Sequence, residues 1–267
     1  MEQGDLKGKA AIVTGSATGI GAATAVALAR RGANVVVNYT KSEKEAREVV
    51  EAVKEIGVDV RLVQGDVAKD EDCKKIAAAA LDAWGAVHIL VNNAGTTKFA
   101  AHNDLDALSA QDFQNIYAVN VIGSYQMIRA CADSMRKHGD GSVVNVSSIA
   151  GVRGIGSSVA YAASKGALNT MTMSLARALA PEIRVNAVCP GYVATGWFRN
   201  RFGDETFKRI TDDQEATSPL RRVADGVEIA KTILFFAGPE SRHITGEMLL
   251  TDGGNHLNMA PAGRTNA

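Results

Sequence analysis

The chain has little that would tie it to a membrane, a nucleic acid or an oxidising compartment. Its 29 basic and 29 acidic residues cancel, with no block of like charge, so neither nucleic acid nor an anionic bilayer is expected as a partner. No run approaches the ~18 apolar residues needed to span a bilayer. The polar Met1–Lys9 start has too few apolar residues to act as a signal peptide, and the expected compartment is the cytoplasm. Cysteine is scarce. Cys73, Cys131 and Cys189 are odd in number, far apart and set in apolar segments, which predicts reduced core residues rather than disulfides. The five histidines (His88, His102, His138, His243 and His256) show no paired spacing and no carboxylate cluster. No metal site is expected, and each histidine reads as a surface or solvated residue.

What the chain does have is apolar material, 46% of 267 residues, enough for the core of one large α/β domain. Short apolar runs at 10–14, 35–38, 60–63, 87–91, 142–146, 183–188 and 248–250 predict seven strands. Helical stretches at 22–31, 43–56, 71–84, 111–138, 159–180 and 224–236 separate most of them. In the stretch 43–56, Ala46, Val49, Val50 and Val53 form an apolar stripe, and Glu43–Arg47 is an i,i+4 ion pair. Strands alternating with helices predict a parallel sheet covered on both faces. No linker, composition shift or repeat divides the chain, so residues 1–267 are expected to be a single domain. The polar stretch 194–219, punctuated by glycine and proline, reads as an inserted loop pair over the substrate, and about 255–267 as a C-terminal tail.

Two local patterns carry chemistry. Tyr161 is the one tyrosine of five with a lysine four residues on, Lys165, and Ser148 lies 13 residues before it. On a helix, i and i+4 share a face, so the ammonium can sit beside the phenol and favour phenolate. Bringing a phenol from ~10 to ~7 takes about 4 kcal/mol. The plain alternative is an incidental pair of helix neighbours. The second pattern, Thr14-Gly15-Ser16-Ala17-Thr18-Gly19-Ile20-Gly21, joins the first strand to the first helix. Such a turn lets backbone approach a pyrophosphate at a helix N-terminus, although its Gly-x-x-x-Gly-x-Gly spacing departs from the general dinucleotide fingerprint. Helix–sheet packing alone is the competing reason for these glycines.

With these motifs, the chain resembles the short-chain dehydrogenases/reductases from about Lys9 to Gly254. The likeness rests on ordered motifs: the Thr14–Gly21 turn, Asp66-Val67, Asn92-Asn93-Ala94-Gly95, Asn120, Ser148, Tyr161/Lys165 and the run Pro190-Gly191-Tyr192-Val193-Ala194-Thr195. It implies a Rossmann-type, doubly wound parallel sheet of about seven strands with helices on both faces. It also implies a nicotinamide-dependent oxidoreductase interconverting a carbonyl and a secondary alcohol. By the same resemblance Tyr161 is the general acid/base and Ser148 holds the substrate oxygen. Lys165 lowers the Tyr161 pKa, helped by a cationic cofactor ring, and binds the ribose. Asn120 bends its helix and binds a water leading to Lys165; a surface asparagine is its alternative. Ser147 competes for the serine role, but strand alternation turns it to the other face.

The resemblance places the cofactor against Gly15, Ser16, Thr18, Gly19, Ile20 and Gly21. Asp66 would accept from the adenine amino group with Val67 packing the ring, unless Asp66 or Asp70 instead caps the next helix. Asn93, Ala94 and Gly95 would pass beneath the ribose, and Pro190, Gly191, Val193 and Thr195 would fix the carboxamide. The segment after the second strand, Asn38-Tyr39-Thr40-Lys41, has no acid to bind a 2′-hydroxyl and has a cation at hand. NADP(H) is therefore favoured, with NAD(H) the alternative. Nearest in resemblance are 3-oxoacyl-carrier-protein reductases, glucose dehydrogenases and broad ketoreductases. A non-catalytic nucleotide-sensing protein is the rival of another class. Asp133 among Arg129, Arg136 and Lys137 leaves the patch that would meet an acidic carrier mixed, and Trp197, Phe198, Phe202 and Phe207 suggest an apolar lid. A homotetramer is expected, with the 111–138 and 159–180 helices and their small residues supplying a twofold face.

Overall fold

The computed structural model describes residues 5–257; most of the expected C-terminal tail, 258–267, lies outside them. Seven strands form one parallel sheet: β1 (Ala10–Val13), β2 (Asn34–Tyr39), β3 (Val60–Gln64), β4 (Ile89–Asn92), β5 (Gly141–Val146), β6 (Ile183–Pro190) and β7 (Met248–Thr251). Their spatial order is β3-β2-β1-β4-β5-β6-β7, and all pairs are parallel. Every strand expected from the apolar runs is present, because strands buried on both faces read as near-continuous apolar segments.

Helices α1 (Gly19–Arg30), α2 (Glu43–Ile56) and α9 (Gly226–Ala237) share one apolar cluster with Ala11, Val13, Val35 and Val37 of the sheet. On the opposite face α3 (Asp70–Trp84), α5 (Ser124–His138) and α7 (Val159–Leu179) pack on Ile12, Val36, Leu90 and Val143. Neighbouring residues of one strand thus serve opposite cores, as a period of two requires. The α2 stripe of Ala46, Val49, Val50 and Val53 is buried, and Arg47 reaches Glu43 at 2.6 Å.

Four expectations need correction. The segment 194–219 is mostly helix, α8 (Gly196–Thr217), broken at Gly203, not a loop pair. The 111–138 helix is α4 (Ala110–Tyr117), a π-helical turn over 118–123, and α5. Neither Asp66 nor Asp70 caps α3: the N-cap is Lys69, without a side-chain hydrogen bond. All three cysteines are buried and free. His88 is not a solvated histidine, since its Nδ1 accepts from the Ala10 N–H at 3.0 Å and burial pushes its pKa down to about 4.

Because the strand order reverses between β1 and β4, the loops leaving their carboxyl ends diverge and open a crevice. The carboxyl ends of β1, β4, β5 and β6 deliver Thr14–Gly21, Asn92–Gly95, Ser147-Ser148 and Pro190–Thr195 to that one edge.

Candidate active site

The glycine turn is held from below by side chains that the sequence offered as ligands. Asn38 is 1% exposed. Its Oδ1 accepts from the Gly15 N–H at 3.0 Å, and its Nδ2 donates to the Val63 and Gly65 carbonyls. The Ser16 hydroxyl donates to the Val13 carbonyl at 2.8 Å and accepts from the Asn38 N–H at 2.9 Å. Both side chains are spent inside the protein, so they build the turn rather than reach a ligand. Tyr39 is buried as well, whereas Thr40 and Lys41 are exposed beside the crevice. Gly15 has φ +59°, and a Cβ there would lie 2.9 Å from Ala94 Cα. The turn and the β4 loop pass too closely for a side chain. Asn93 stitches them together, donating from Nδ2 to the Thr14 and Gly15 carbonyls at 3.0 and 2.9 Å.

The α1 N-terminus is open. Thr18 makes no side-chain cap bond and the first turn carries no acid, so the N–H groups at Gly19, Ile20 and Gly21 and the helix dipole face the crevice unopposed. Farther along the edge Asp66 Oδ1 accepts from Ala68 N–H. The buried Val67 packs on Gly123, where a Cβ would come within 2.8 Å of it. The Thr195 side chain lies against Gly19, 3.6 Å from where a Cβ would stand. Val193 is buried and forms a bridge with Ala224, and the Gly191 N–H donates to the Thr251 carbonyl at 3.3 Å.

Helix α7 begins at Ser158, whose hydroxyl accepts from the Tyr161 N–H at 3.2 Å. Its first turns carry Tyr161 and Lys165 on one face, with Lys165 Nζ 5.6 Å from the Tyr161 ring centroid. Nζ donates to the Val146 carbonyl at 2.8 Å, which anchors α7 to the end of β5. The lysine is 4% exposed, and burial pushes its pKa down to about 8. Burial pushes the half-buried Tyr161 phenol up to about 12, opposed by the nearby Ser148 hydroxyl, which itself donates to the Pro190 carbonyl at 3.5 Å and accepts from the Ala150 N–H at 3.1 Å. Ser148 and Tyr161 therefore face each other. Ser147 points away, its hydroxyl donating to the Lys165 carbonyl at 3.3 Å, as strand alternation predicts. In the protein by itself, desolvation is the largest influence on the phenol.

Asn120 sits in the π-helical turn and is fully buried. Its Oδ1 accepts from the Thr96 N–H at 2.8 Å; its Nδ2 donates to the Thr96 carbonyl and the Ser164 hydroxyl at 3.0 and 2.9 Å. It is no surface asparagine, and its side chain clamps the β4 loop to α7. Gly95 lies between them, with Lys165 Nζ 3.8 Å from a Cβ placed there.

Sequence reasoning missed Phe99 and Tyr192. Phe99 meets Phe202 at 5.1 Å between ring centroids and Phe198 at 6.1 Å; Tyr192 meets Phe198 at 4.7 Å. Of the expected lid residues, Phe198 and Phe202 join this cluster, Phe207 instead lies under Arg199, and Trp197 is 42% exposed.

Comparison with known proteins agrees with this geometry. A family described as enoyl-(acyl carrier protein) reductase matches residues 15–256. The chain is 38% identical over 247 residues to a ketoacyl reductase named for the granaticin polyketide synthase of Streptomyces violaceoruber, covering 92% of this chain and 96% of that one. It is 34% identical to a 3-oxoacyl-[acyl-carrier-protein] reductase of Staphylococcus epidermidis, covering 93% and 99%. A crystal structure of a short-chain dehydrogenase/reductase from Burkholderia xenovorans superposes with TM-score 0.87 at 38% identity, covering 94% of this chain and 98% of that one. The strand order, the crevice and this full-length likeness together make the chain a member of the short-chain dehydrogenase/reductase family, an oxidoreductase acting on CH–OH or carbonyl groups.

Proposed function

We propose that the protein reduces a ketone to a secondary alcohol, or the reverse, with NADP(H) as its favoured nicotinamide cofactor. The observation that carries this reading is the meeting of Ser148 and Tyr161 at the mouth of the crevice, with Lys165 one helical turn behind. The crevice suits a dinucleotide: the α1 N-terminus is uncapped by any side chain and no acid opposes an anion there. Gly15, Thr18, Gly19, Ile20 and Gly21 would hold its pyrophosphate. Asp66 and Val67 would hold the adenine, Asn93–Gly95 the ribose, and Pro190, Gly191, Val193 and Thr195 the nicotinamide end. When bound, the cofactor supplies the hydride.

The protein's own groups do the rest. Ser148 donates to the substrate oxygen and fixes its distance from Tyr161. Tyr161 exchanges a proton with that oxygen, and its high pKa in the closed protein keeps it protonated and ready to donate in the direction of reduction. Lys165, held by the Val146 carbonyl, places positive charge beside the phenol and favours phenolate once the proton has left. The clamp made by Asn120 keeps α7 at a fixed distance from the β4 loop.

Thr40 and the exposed Lys41 support a 2′-phosphate, since the segment Asn38–Lys41 at the end of β2 holds no acid and the nearest ones, Glu43 and Glu45, lie in the first turn of α2. On α5, Arg129 pairs with Asp70 and Arg136 with Asp133 at 3.3 Å. These guanidiniums are neutralised locally, which favours a free ketone over one borne by an acidic carrier. The test is a turnover screen of ketones, acyl thioesters and sugars with each cofactor, by absorbance of the reduced nicotinamide. Oxidation or reduction of none of them by the wild-type protein overturns the reading.

A further inference from the structure

The mouth of the crevice is closed by aromatic rings drawn from three separate segments. Phe99 comes from the loop after β4, Tyr192 from the loop after β6, and Phe198 and Phe202 from the first half of α8. The placement of these segments makes the cluster a wall of the site. Residues 97–100 are tied to the segment leading into α7, with the Ala100 N–H donating to the Ser157 carbonyl at 2.9 Å and Thr97 Oγ1 meeting Ser157 Oγ at 2.7 Å. Ser157 lies four residues before Tyr161. At its other end α8 starts at Thr195, against the glycine turn. The α8 segment therefore crosses from the phosphate side of the crevice to the rim beside Tyr161, and Phe198 and Phe202 meet Phe99 there.

A hinge separates this segment from the rest of α8. Gly203 has φ 77° and ψ 168°, inside what is otherwise helix, with open space where a Cβ would stand; only glycine adopts that region without strain. Beyond the break, Thr211 is fastened to the Tyr192 hydroxyl at 2.9 Å. Residues 196–202 are thus a short flap carrying two phenyl rings, hinged at Gly203 on a fixed second half.

The polar groups around the flap are engaged with one another. Thr97 is bonded to Ser157, Tyr192 to Thr211 and His102 to the Gly156 carbonyl. Of the cations there, Lys98 pairs with Asp112 at 2.8 Å and Arg199 with Asp204 at 3.4 Å, while Arg201 lies over the Phe202 ring, 5.9 Å from its centroid. A polyol entering here would meet rings and spent hydroxyls, and a carboxylate or phosphate would have to displace an ion pair or draw Arg201 off the Phe202 ring. Rings packed edge to face, at 77° and 68° between planes, instead suit a flat apolar group, which can take up the same edge and face contacts.

We propose that Phe99, Phe198 and Phe202 select uncharged substrates with an aryl group next to the reacting carbon, the flap at Gly203 opening to admit them. This rests on the carbonyl–alcohol reading above and specifies its substrate class. The experiment compares kcat/KM for acetophenone, 2-butanone and glucose in the wild-type protein and in F99A, F202A, F202L and W197A. The aryl substrate should lead 2-butanone by at least a hundredfold in the wild-type protein. That ratio should fall at least tenfold in F99A and F202A and less in F202L. W197A, outside the ring cluster, should leave the ratio within about twofold. In parallel, binding of 1-phenylethanol is measured by calorimetry with cofactor in Y161F and in the Y161F/F202A double variant, expecting at least tenfold weaker binding in the latter. A wild-type preference for 2-butanone or glucose, or a ratio unmoved by F99A and F202A, overturns the inference while leaving carbonyl chemistry standing. Tight aryl binding that depends on Phe202, without turnover of any substrate in the wild-type protein, sinks the catalytic reading and not this one.

Discussion

Lys165 is buried without a carboxylate partner, and that arrangement should cost stability in a way pH can reveal. The lysine pKa falls from 10.5 to about 8 because burial penalises the ammonium. That difference corresponds to about 3 kcal/mol of preference for the unfolded chain while the group is charged in both states. The lysine is 4% exposed, so solvent screening reduces this little. The sign follows from proton binding. Between pH 8 and 10.5 the unfolded chain holds the Lys165 proton while the folded protein has lost it, and stability rises with pH wherever the unfolded state binds more protons. The penalty is complete below about pH 8 and gone above 10.5.

Lys165→Met keeps the length of the side chain and removes the charge. It also removes the donor to the Val146 carbonyl, and an orphaned buried acceptor costs about 1–3 kcal/mol. At pH 7 the two effects oppose, and the variant should be as stable as wild type or up to about 2 kcal/mol more stable. At pH 10.5 only the orphaned carbonyl remains, and the variant should be less stable by about 1–3 kcal/mol. Urea unfolding of both proteins at matched concentration from pH 6.5 to 10.5 measures the difference, and titrations common to both cancel. A difference that stays flat across this range would refute the argument, because it would mean that Lys165 is neutral in the folded protein at pH 7 or is as solvated there as in the unfolded chain. Turnover should be lost in the variant at every pH.

Three further outcomes follow from the site. Tyr161→Phe should lower kcat by about 10²–10⁴-fold while cofactor binding, measured by fluorescence titration, persists; retention of more than about a tenth of wild-type kcat would sink the proton-carrier role. Lys41→Glu should erase or invert an NADPH over NADH preference in kcat/KM of roughly ten- to a hundredfold, and an unmoved ratio would leave Lys41 a solvated residue at the start of α2. Phe113, Ile122 and Tyr125 around α4–α5 and Val159 and Met173 on α7 are 36–50% exposed, an apolar face suited to a second copy; light scattering at micromolar concentration should give a tetramer, and a monomer would end that expectation.

How much of this was legible beforehand depended on where each residue's partners lie. The strands were plain because a strand covered on both faces must be apolar at every position, as in the fully buried run Ala11-Ile12-Val13. Ser148 could be told from Ser147 because a period of two leaves one choice once the strand is known. Helix α8 was not legible. None of its residues is buried, so no apolar stripe facing the core marks a 3.6-residue period, and its glycines and charges look like a loop. Its rings pack instead on Phe99 and Tyr192, about a hundred and a few residues away respectively, and no local pattern encodes those pairings.

Three residues of these motifs turn their side chains inward for one physical cause. Asn38 and Ser16 were expected at the cofactor and Asn120 at a helix bend with a water, and each occupies the expected place in the fold. Each also carries a short polar side chain buried where the backbone leaves unpaired groups, and such groups must be satisfied from within. The Gly15 N–H needs Asn38, the Asn38 N–H needs Ser16, and Thr96 needs Asn120 for both its N–H and its carbonyl. Motif position locates a residue at the site, whereas burial decides which way its hydrogen bonds run. Thr18, Thr195 and Lys41, in the same motifs, are exposed or half-buried and make no such backbone commitments. They are the side chains still able to turn toward a bound molecule, and the cofactor specificity of this protein should be sought there rather than in the asparagine that frames the turn.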